Sequence, residues 1–382
     1  EICACLVGSE MCIRDRDGQM LLCHSTHIVM TKEVAETEMH AAKRLQEAIR
    51  QETGLILPFS VGEVREGDLS LGIAKTLPEQ TYEITIDEKG GQISGGDGAG
   101  VLYGVETFCQ IVQQCGGILP CVQIQDAPDM PNRGYYFDQT RGRVLKLEEL
   151  KKIADRMCRY KLNQLQLYVE HTYLFRDFSE MWRDQTPLTA EEILELDSYC
   201  RERHIELVPS LASFGHLCTL LSTKTYGDLC EMEDSWKEPF SFWNRMRYHT
   251  INVSDERSLP LIKKMIAEYM QLFSSNKFNI CADETFCLGK YKSKKLAEER
   301  GVHRLYIDYV KELAQFLVEN GKIPMFWGDI IWNSPELMKE LPESMICLNW
   351  GYAPEQREDE TRAIAQTGAV QYLCPGVCGW NQ

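Results

Sequence analysis

The hydrophobic pattern of the chain changes rhythm near residue 128. Upstream, alternating runs such as Tyr82-Glu83-Ile84-Thr85-Ile86 predict strands with one wet face. Residues 70–74 and the short run Ile28-Val29-Met30 read the same way. Apolar residues at helical spacing predict a helix over 33–53, closed by Gly54, and another over 105–114. The second follows a glycine-rich stretch, 95–104, that lacks both the Gly-x-Gly-x-x-Gly spacing and the Lys-Ser/Thr of a phosphate loop. It reads as a tight turn into a packed helix. These elements predict a small α+β domain over residues 17–127.

Asp126-Ala127-Pro128-Asp129-Met130-Pro131 is a polar linker with two prolines. Beyond it strands and helices alternate with short joins. Strands are predicted at 134–138, 164–169, 205–209, 278–282, 323–327, 345–349 and 370–373. Helices are predicted at 147–160, 189–203, 303–319 and 355–366, the second opened by a capping box of Thr189 and Glu192. Seven strands in this rhythm predict a (β/α)8 TIM barrel over residues 128–382, incomplete before its eighth strand.

Composition narrows the function. A length of 382 residues accommodates two domains, and a net charge of -16 argues against nucleic-acid and anionic-membrane partners. No apolar run approaches the roughly 18 residues of a spanning helix. The 16 cysteines show no Cys-x-x-Cys pair and no Cys/His spacing suited to zinc. Many, such as Cys281, Cys347 and Cys374, lie in apolar runs where cysteine acts as a small hydrophobe. Reduced thiols in a cytoplasmic compartment, and no metal or cofactor, are the expectation. Residues 1–16 (EICACLVGSEMCIRDR) lack the order of a signal peptide and resemble a translated adapter tail, so they are expected to stand outside the fold.

Chemistry concentrates at the predicted strand ends. The run Phe278-Asn279-Ile280-Cys281-Ala282 leads into Asp283-Glu284. Side chains alternate faces within a strand, so two carboxylates that share a pocket must lie where the chain turns. In a parallel barrel that turn is on the rim where active sites are built. The other ends offer Asp138 and Arg141, Glu170 and His171, His216, Trp327 and Asp329, Trp350, and Tyr372 with Trp380 soon after. Acids, a histidine, arginine and tryptophans on one rim have the composition of a sugar site: aromatic faces for pyranose C–H faces, polar groups for hydroxyls.

The order Arg133-Gly134, Asp138, Arg141, Lys161-Leu162-Asn163, Gly215-His216, Asp283-Glu284 and Trp327 resembles glycoside hydrolase family 20, the β-N-acetylhexosaminidases. Gly100, Gly104, Thr107 and Gln110 resemble that family's N-terminal α+β domain. Phrases such as Ser213-Phe-Gly-His and Asp283-Glu-Thr-Phe are similar to the soluble hexosaminidase-D-like branch. The resemblance implies exo-cleavage of terminal β-linked GlcNAc or GalNAc with retention, the substrate's own 2-acetamido group acting as nucleophile. It implies Glu284 as acid and base, and Asp283 as the group that orients the acetamido and stabilises its charge. It further implies Tyr372 on the acetamido carbonyl, Trp327 and Trp350 as pocket walls, Arg133 on ring hydroxyls, and His216 and Trp380 at the sugar. Tyr168-Val169-Glu170-His171-Thr172 stands where many members carry His-x-Thr-Asp-Asp, which leaves the roles of Glu170 and His171 as sugar or relay residues open.

Two other readings remain at this point. A retaining glycosidase with a protein nucleophile would use Asp329 or Glu170 as the second carboxylate. A non-catalytic carbohydrate-binding barrel would need no acid at all.

Overall fold

The computed structural model describes residues 12–239, 241–353, 355 and 357–376. They fall into two compact units. One comprises residues up to 135 with 150–164 and 198–206; the other comprises 136–149, 165–197 and 207 onward.

The first unit is built on a seven-stranded sheet. In chain order its elements are β1 (Cys12–Leu21), β2 (Ile28–Met30), α1 (Lys32–Thr37), α2 (Met39–Thr53), β3 (Phe59–Val61), β4 (Leu69–Ile73), β5 (Tyr82–Asp87), β6 (Gly90–Gly95), α3 (Gly98–Cys115) and β7 (Ile118–Asp126). The spatial order is β1-β7-β5-β6-β4-β2-β3. The expected 33–53 helix is two helices, with Glu38 at φ -120° and ψ 29° closing the first. α3 starts well before the expected 105, because Asp97 caps it by accepting from the Gly100 amide at 2.7 Å. The glycine-rich stretch makes that start possible: a Cβ on Gly95 would sit 2.2 Å from the Val101 nitrogen. Of residues 1–16, expected to stand outside the fold, 1–11 lie outside the described residues. Cys12 through Asp15 pair antiparallel with Gln125 through Val122, since backbone pairing asks little of the side chains on an edge strand.

The second sheet contains β8 (Gly134–Asp138), β9 (Gln164–Val169), β10 (Glu206–Leu211), β11 (Lys277–Asn279), β12 (Ile323–Trp327), β13 (Ile346–Gly351) and β14 (Val370–Pro375), in strictly sequential spatial order. Every pair whose register is described is parallel. Helices follow the strands: α4 (Leu147–Arg159), α5 (Ser179–Trp182), α6 (Ala190–Arg201), α7 (Cys218–Leu221), α8 (Phe242–Arg247), α9 (Ser258–Tyr269), α10 (Lys294–Arg300), α11 (Val302–Glu319) and α12 (Glu358–Gln366). This is the sheet of a parallel β/α barrel, seven-stranded among the described residues, and β9 is buried on both faces as such sheets require. The Thr189–Glu192 capping box is present in both directions, at 2.9 and 3.2 Å. Register places Trp327, Leu348 and Tyr372 side by side on one face, with Trp350 two residues further along the same face.

Candidate active site

The acidic pair is held by a turn whose backbone is unusual. β11 ends at Asn279, three residues short of the expected 282, because Cys281 and Ala282 adopt φ of 58° and 61°. Glu284 at 50° and His216 at 58° are also left-handed. Each such non-glycine residue costs about 1 kcal/mol or more, so the surroundings must over-determine the turn. They do. The Cys281 amide donates to Asn279 Oδ1 at 2.8 Å, and the Cys281 carbonyl accepts from the Trp327 amide at 2.9 Å. Tyr306 of α11 donates to the Ala282 carbonyl at 3.0 Å, and Ser213 to that of Ile280 at 2.6 Å. The Glu284 amide donates to Asp329 Oδ2 at 3.0 Å. Gly215 lets the adjoining loop pass: a Cβ there would lie 2.5 Å from the Asp283 carbonyl oxygen.

This turn presents both carboxylates to one histidine. Nε2 of His216 is 3.3 Å from Asp283 Oδ2 and 3.3 Å from Glu284 Oε2. Burial opposes charging His216, but the Asp283 and Glu284 carboxylates outweigh it and push its pKa up to about 10. Burial likewise opposes the Asp283 charge, and the His216 cation overrides it, holding that carboxyl below its usual range. The side chains of Asp283 and Glu284 keep 15% and 26% of their surface open, while that of His216 keeps 1%. A ligand can therefore reach the acids but not the base behind them. The donor atoms of His216, Asp283 and Glu284 lie within 4.8 Å of one another, a spacing that a metal ion or a shared proton network can use.

A third acid behaves differently. Burial first, then the neighbouring Asp283 and Glu284 charges, push Asp329 up to about 8. Its Oδ1 is buried and has no hydrogen-bond partner among the described residues.

Glu170 sits at the end of β9, buried and surrounded by cations. Arg245 Nη2 donates to it at 3.1 Å, Tyr168 donates at 2.9 Å, and Arg141 Nε lies at 3.7 Å. Burial would raise its pKa, yet Arg141 and Arg245 outweigh that and keep it ionised. His171 lies 3.9 Å from Glu170, and burial lowers its pKa, which favours the neutral ring. Arg141 lies 4.5 Å over the Tyr168 ring and pairs with Asp138 at 3.1 Å.

Aromatic rings complete the cluster. The Tyr136 ring meets Trp327 edge-on at 4.8 Å, and its hydroxyl shares a hydrogen bond with Ser210 at 2.8 Å. Trp350 lies between Trp332 at 6.0 Å and the exposed Tyr352 at 5.2 Å. Trp332 donates to Asn349 Oδ1 at 2.9 Å. Tyr372 lies on the Trp327 face by register.

The structure thus gathers Asp283, Glu284, His216, Asp329, Glu170 and His171 at neighbouring strand ends, with Trp327, Trp350 and Tyr372 on the adjoining strands. Arg133 is not among them. It precedes β8, and its guanidinium is bonded to the carbonyls of Met130 and Lys161 at 2.7 and 2.9 Å and to Gln80 at 3.0 Å. The far end of the same strand is about 15 Å away at strand rise, and there Arg141 stands beside Asp138 and Glu170. Trp380 lies outside the described residues. Sequence reasoning noted Arg141 only as a strand exit and missed Arg245 altogether. Arg245 comes from the long insertion after β10, where no periodicity ties a residue to the rim.

Comparison with known proteins follows this geometry. Residues 12–127 match the model "Glycosyl hydrolase family 20, domain 2", and residues 131–376 match "Glycosyl hydrolase family 20, catalytic domain". A β-hexosaminidase of Porphyromonas gingivalis is 24% identical over 90% of this chain and 47% of its own length. A β-hexosaminidase of Akkermansia muciniphila is 30% identical over 37% of this chain and 33% of its own. The chain therefore spans about half or less of these curated relatives. Among solved structures, the exo-β-N-acetylglucosaminidase of Vibrio harveyi superposes with a TM-score of 0.79 at 18% identity, covering 95% of this chain and 59% of that one. The β-N-acetylhexosaminidase of Bacteroides fragilis gives 0.75 at 18%, covering 94% and 73%.

Proposed function

Since this chain belongs to glycosyl hydrolase family 20, we propose that it is the hydrolytic part of an exo-acting β-N-acetylhexosaminidase. The observation that carries the reading is the pair Asp283–Glu284, turned toward solvent on a strained strand end and backed by one buried, charged histidine. The substrate is a terminal β-linked HexNAc on an oligosaccharide or glycoconjugate. Glu284, the more open acid, protonates the glycosidic oxygen and later takes a proton from water. Asp283, kept ionised by His216, holds the acetamido N–H and offsets the positive charge that develops as the acetamido oxygen closes on the anomeric carbon. Trp327, Trp350 and Tyr372 wall the acetamido group. Arg141, held by Asp138 and Glu170, replaces Arg133 as the donor to ring hydroxyls.

The two carboxylates available to a protein-nucleophile mechanism are poorly suited to it. Asp329 is pushed up to about 8 and so holds its proton near neutral pH. Glu170 is ionised but enclosed by Arg141, Arg245 and Tyr168. The test is a pair of aryl β-glycosides with and without the 2-acetamido group. Cleavage of aryl β-GlcNAc with aryl β-glucoside left untouched is expected; comparable rates on both would sink the substrate-assisted route.

A further inference from the structure

Helix α8, in the insertion between β10 and β11, sets an oxidisable side chain against one arginine of the site. Met246 Sδ accepts from Arg141 Nη1 at 2.9 Å, and the neighbouring Arg245 donates to Glu170 at 3.1 Å. The same Arg141 pairs with Asp138 at 3.1 Å and lies 3.7 Å from Glu170. Met246 is thus one of the groups that fix where the Arg141 guanidinium stands.

The surroundings single out this sulfur. Met39, Met130, Met232 and Met246 are the described methionines that are not buried, and among them Met246 is the one bonded to a residue of the site. The nearby thiols are poorer targets. Cys287 donates to the Arg247 carbonyl at 3.0 Å and Cys230 to that of Tyr248 at 3.2 Å, which satisfies carbonyls at the end of α8. Both thiols are buried, and that burial pushes Cys287 up to about 12 and raises Cys230, so neither offers a thiolate near neutral pH. A thioether has no proton to lose, and its oxidation does not wait on titration.

We propose that Met246 is a modification site through which a peroxide controls Arg141. One oxygen of hydrogen peroxide passes to Sδ: an S–O bond forms, the O–O bond breaks and water leaves. The sulfur gives up two electrons and the peroxide takes them. The thioether, a weak acceptor, becomes a sulfoxide whose oxygen is a strong one. No oxygen fits between Sδ and Nη1 at 2.9 Å, and the two thiols hold the end of α8, so the guanidinium shifts to bond the new oxygen. Arg141 is then drawn away from the ring hydroxyls and the substrate is held more weakly. A methionine sulfoxide reductase reverses the step, a dithiol becoming a disulfide as the oxygen leaves in water. The effect on turnover rests on the hexosaminidase reading; the modification itself does not.

The test treats the full chain with hydrogen peroxide and maps methionine sulfoxide by mass spectrometry of its peptides. Met246 should gain its oxygen alongside the exposed Met130 and well before the buried Met265 and Met325. In step with that gain, kcat/KM for aryl β-GlcNAc should fall about tenfold, mainly through KM, the scale of one lost hydrogen bond to a charged group. The thermal melt should stay cooperative, and methionine sulfoxide reductase should restore the activity. Met246→Leu nearly keeps the side-chain volume and, relative to its own untreated rate, should lose no activity on the same treatment. Oxidation of Met246 no faster than that of Met325, or an equal loss of activity in Met246→Leu, overturns the proposal, while untreated turnover leaves the hexosaminidase reading standing. An untreated protein that cleaves no aryl β-GlcNAc overturns that reading and the effect on turnover with it, and the peptide map still decides the modification site.

Discussion

Asp329→Asn keeps the side-chain shape and the acceptor for the Glu284 amide while removing a buried titration. A carboxyl whose folded pKa lies above its unfolded value binds its proton more tightly in the native state. Its contribution to stability is therefore lost as pH rises from the unfolded value toward the folded one. With 3.8 as the ordinary value and about 8 in the fold, at about 1.36 kcal/mol per unit, the penalty is about 2 kcal/mol at pH 5 and about 6 kcal/mol at pH 8.5. Residual solvent and relaxation around a half-buried side chain reduce such ceilings by about half. The variant should then gain about 1 kcal/mol over wild type at pH 5 and about 3 kcal/mol at pH 8.5. Urea unfolding at the two pH values measures this, and the difference between them is the informative quantity because any constant packing offset cancels. In parallel, wild-type turnover of aryl β-GlcNAc should decline as pH passes about 8, when Asp329 ionises beside Asp283 and Glu284, and the variant should lack that limb. A stability gain of the same size at both pH values would refute the reasoning, since it would mean Asp329 does not titrate in this range in the folded protein.

Two further expectations concern the acids and the loop beside them. Glu284→Gln should impair substrates with poor leaving groups far more than those with activated aryl groups, while Asp283→Asn should impair both alike; equal leaving-group dependence in the two variants contradicts the roles. Gly215→Ala forces a methyl group to 2.5 Å from the Asp283 carbonyl, so the turn must shift. Turnover should drop by about a hundredfold for a displacement of about 1 Å, with a thermal melt still cooperative. Near wild-type turnover would show that the two loops are not in register as described.

Much of this site was legible from local pattern because its parts obey local rules. The Thr189–Glu192 cap needs only its own four residues, and it forms as read. The βα rhythm after residue 128 places strand ends on one rim whatever the side chains do, so Asp283, Glu284, His216 and Glu170 could be assigned to a common face from sequence order alone. What defeated local reading was geometry that depends on distant atoms. The apolar run to Ala282 has strand composition, yet the strand stops at Asn279. Hydrogen bonds from Tyr306, Ser213 and Trp327 hold the next residues in a conformation their own propensities disfavour.

The arginines show the same division. Arg133 and Arg141 flank one strand, and both carry the same charge and donors. Only the direction of the strand and the carbonyls at its start decide that Arg133 is engaged by Met130 and Lys161 while Arg141 faces Asp138 and Glu170. Arg245 lies in an insertion without periodicity, 75 residues along the chain from the glutamate it is bonded to. By itself, then, the sequence determined the barrel rhythm, the acidic pair and the aromatic character of the rim, because periodicity and strand polarity are properties of neighbouring residues. The opposite shifts of Asp283 and Asp329, the choice between the arginines and the placing of α8 were decided only by tertiary structure. Burial, Coulomb coupling and hydrogen bonding act through space between groups that the chain keeps far apart.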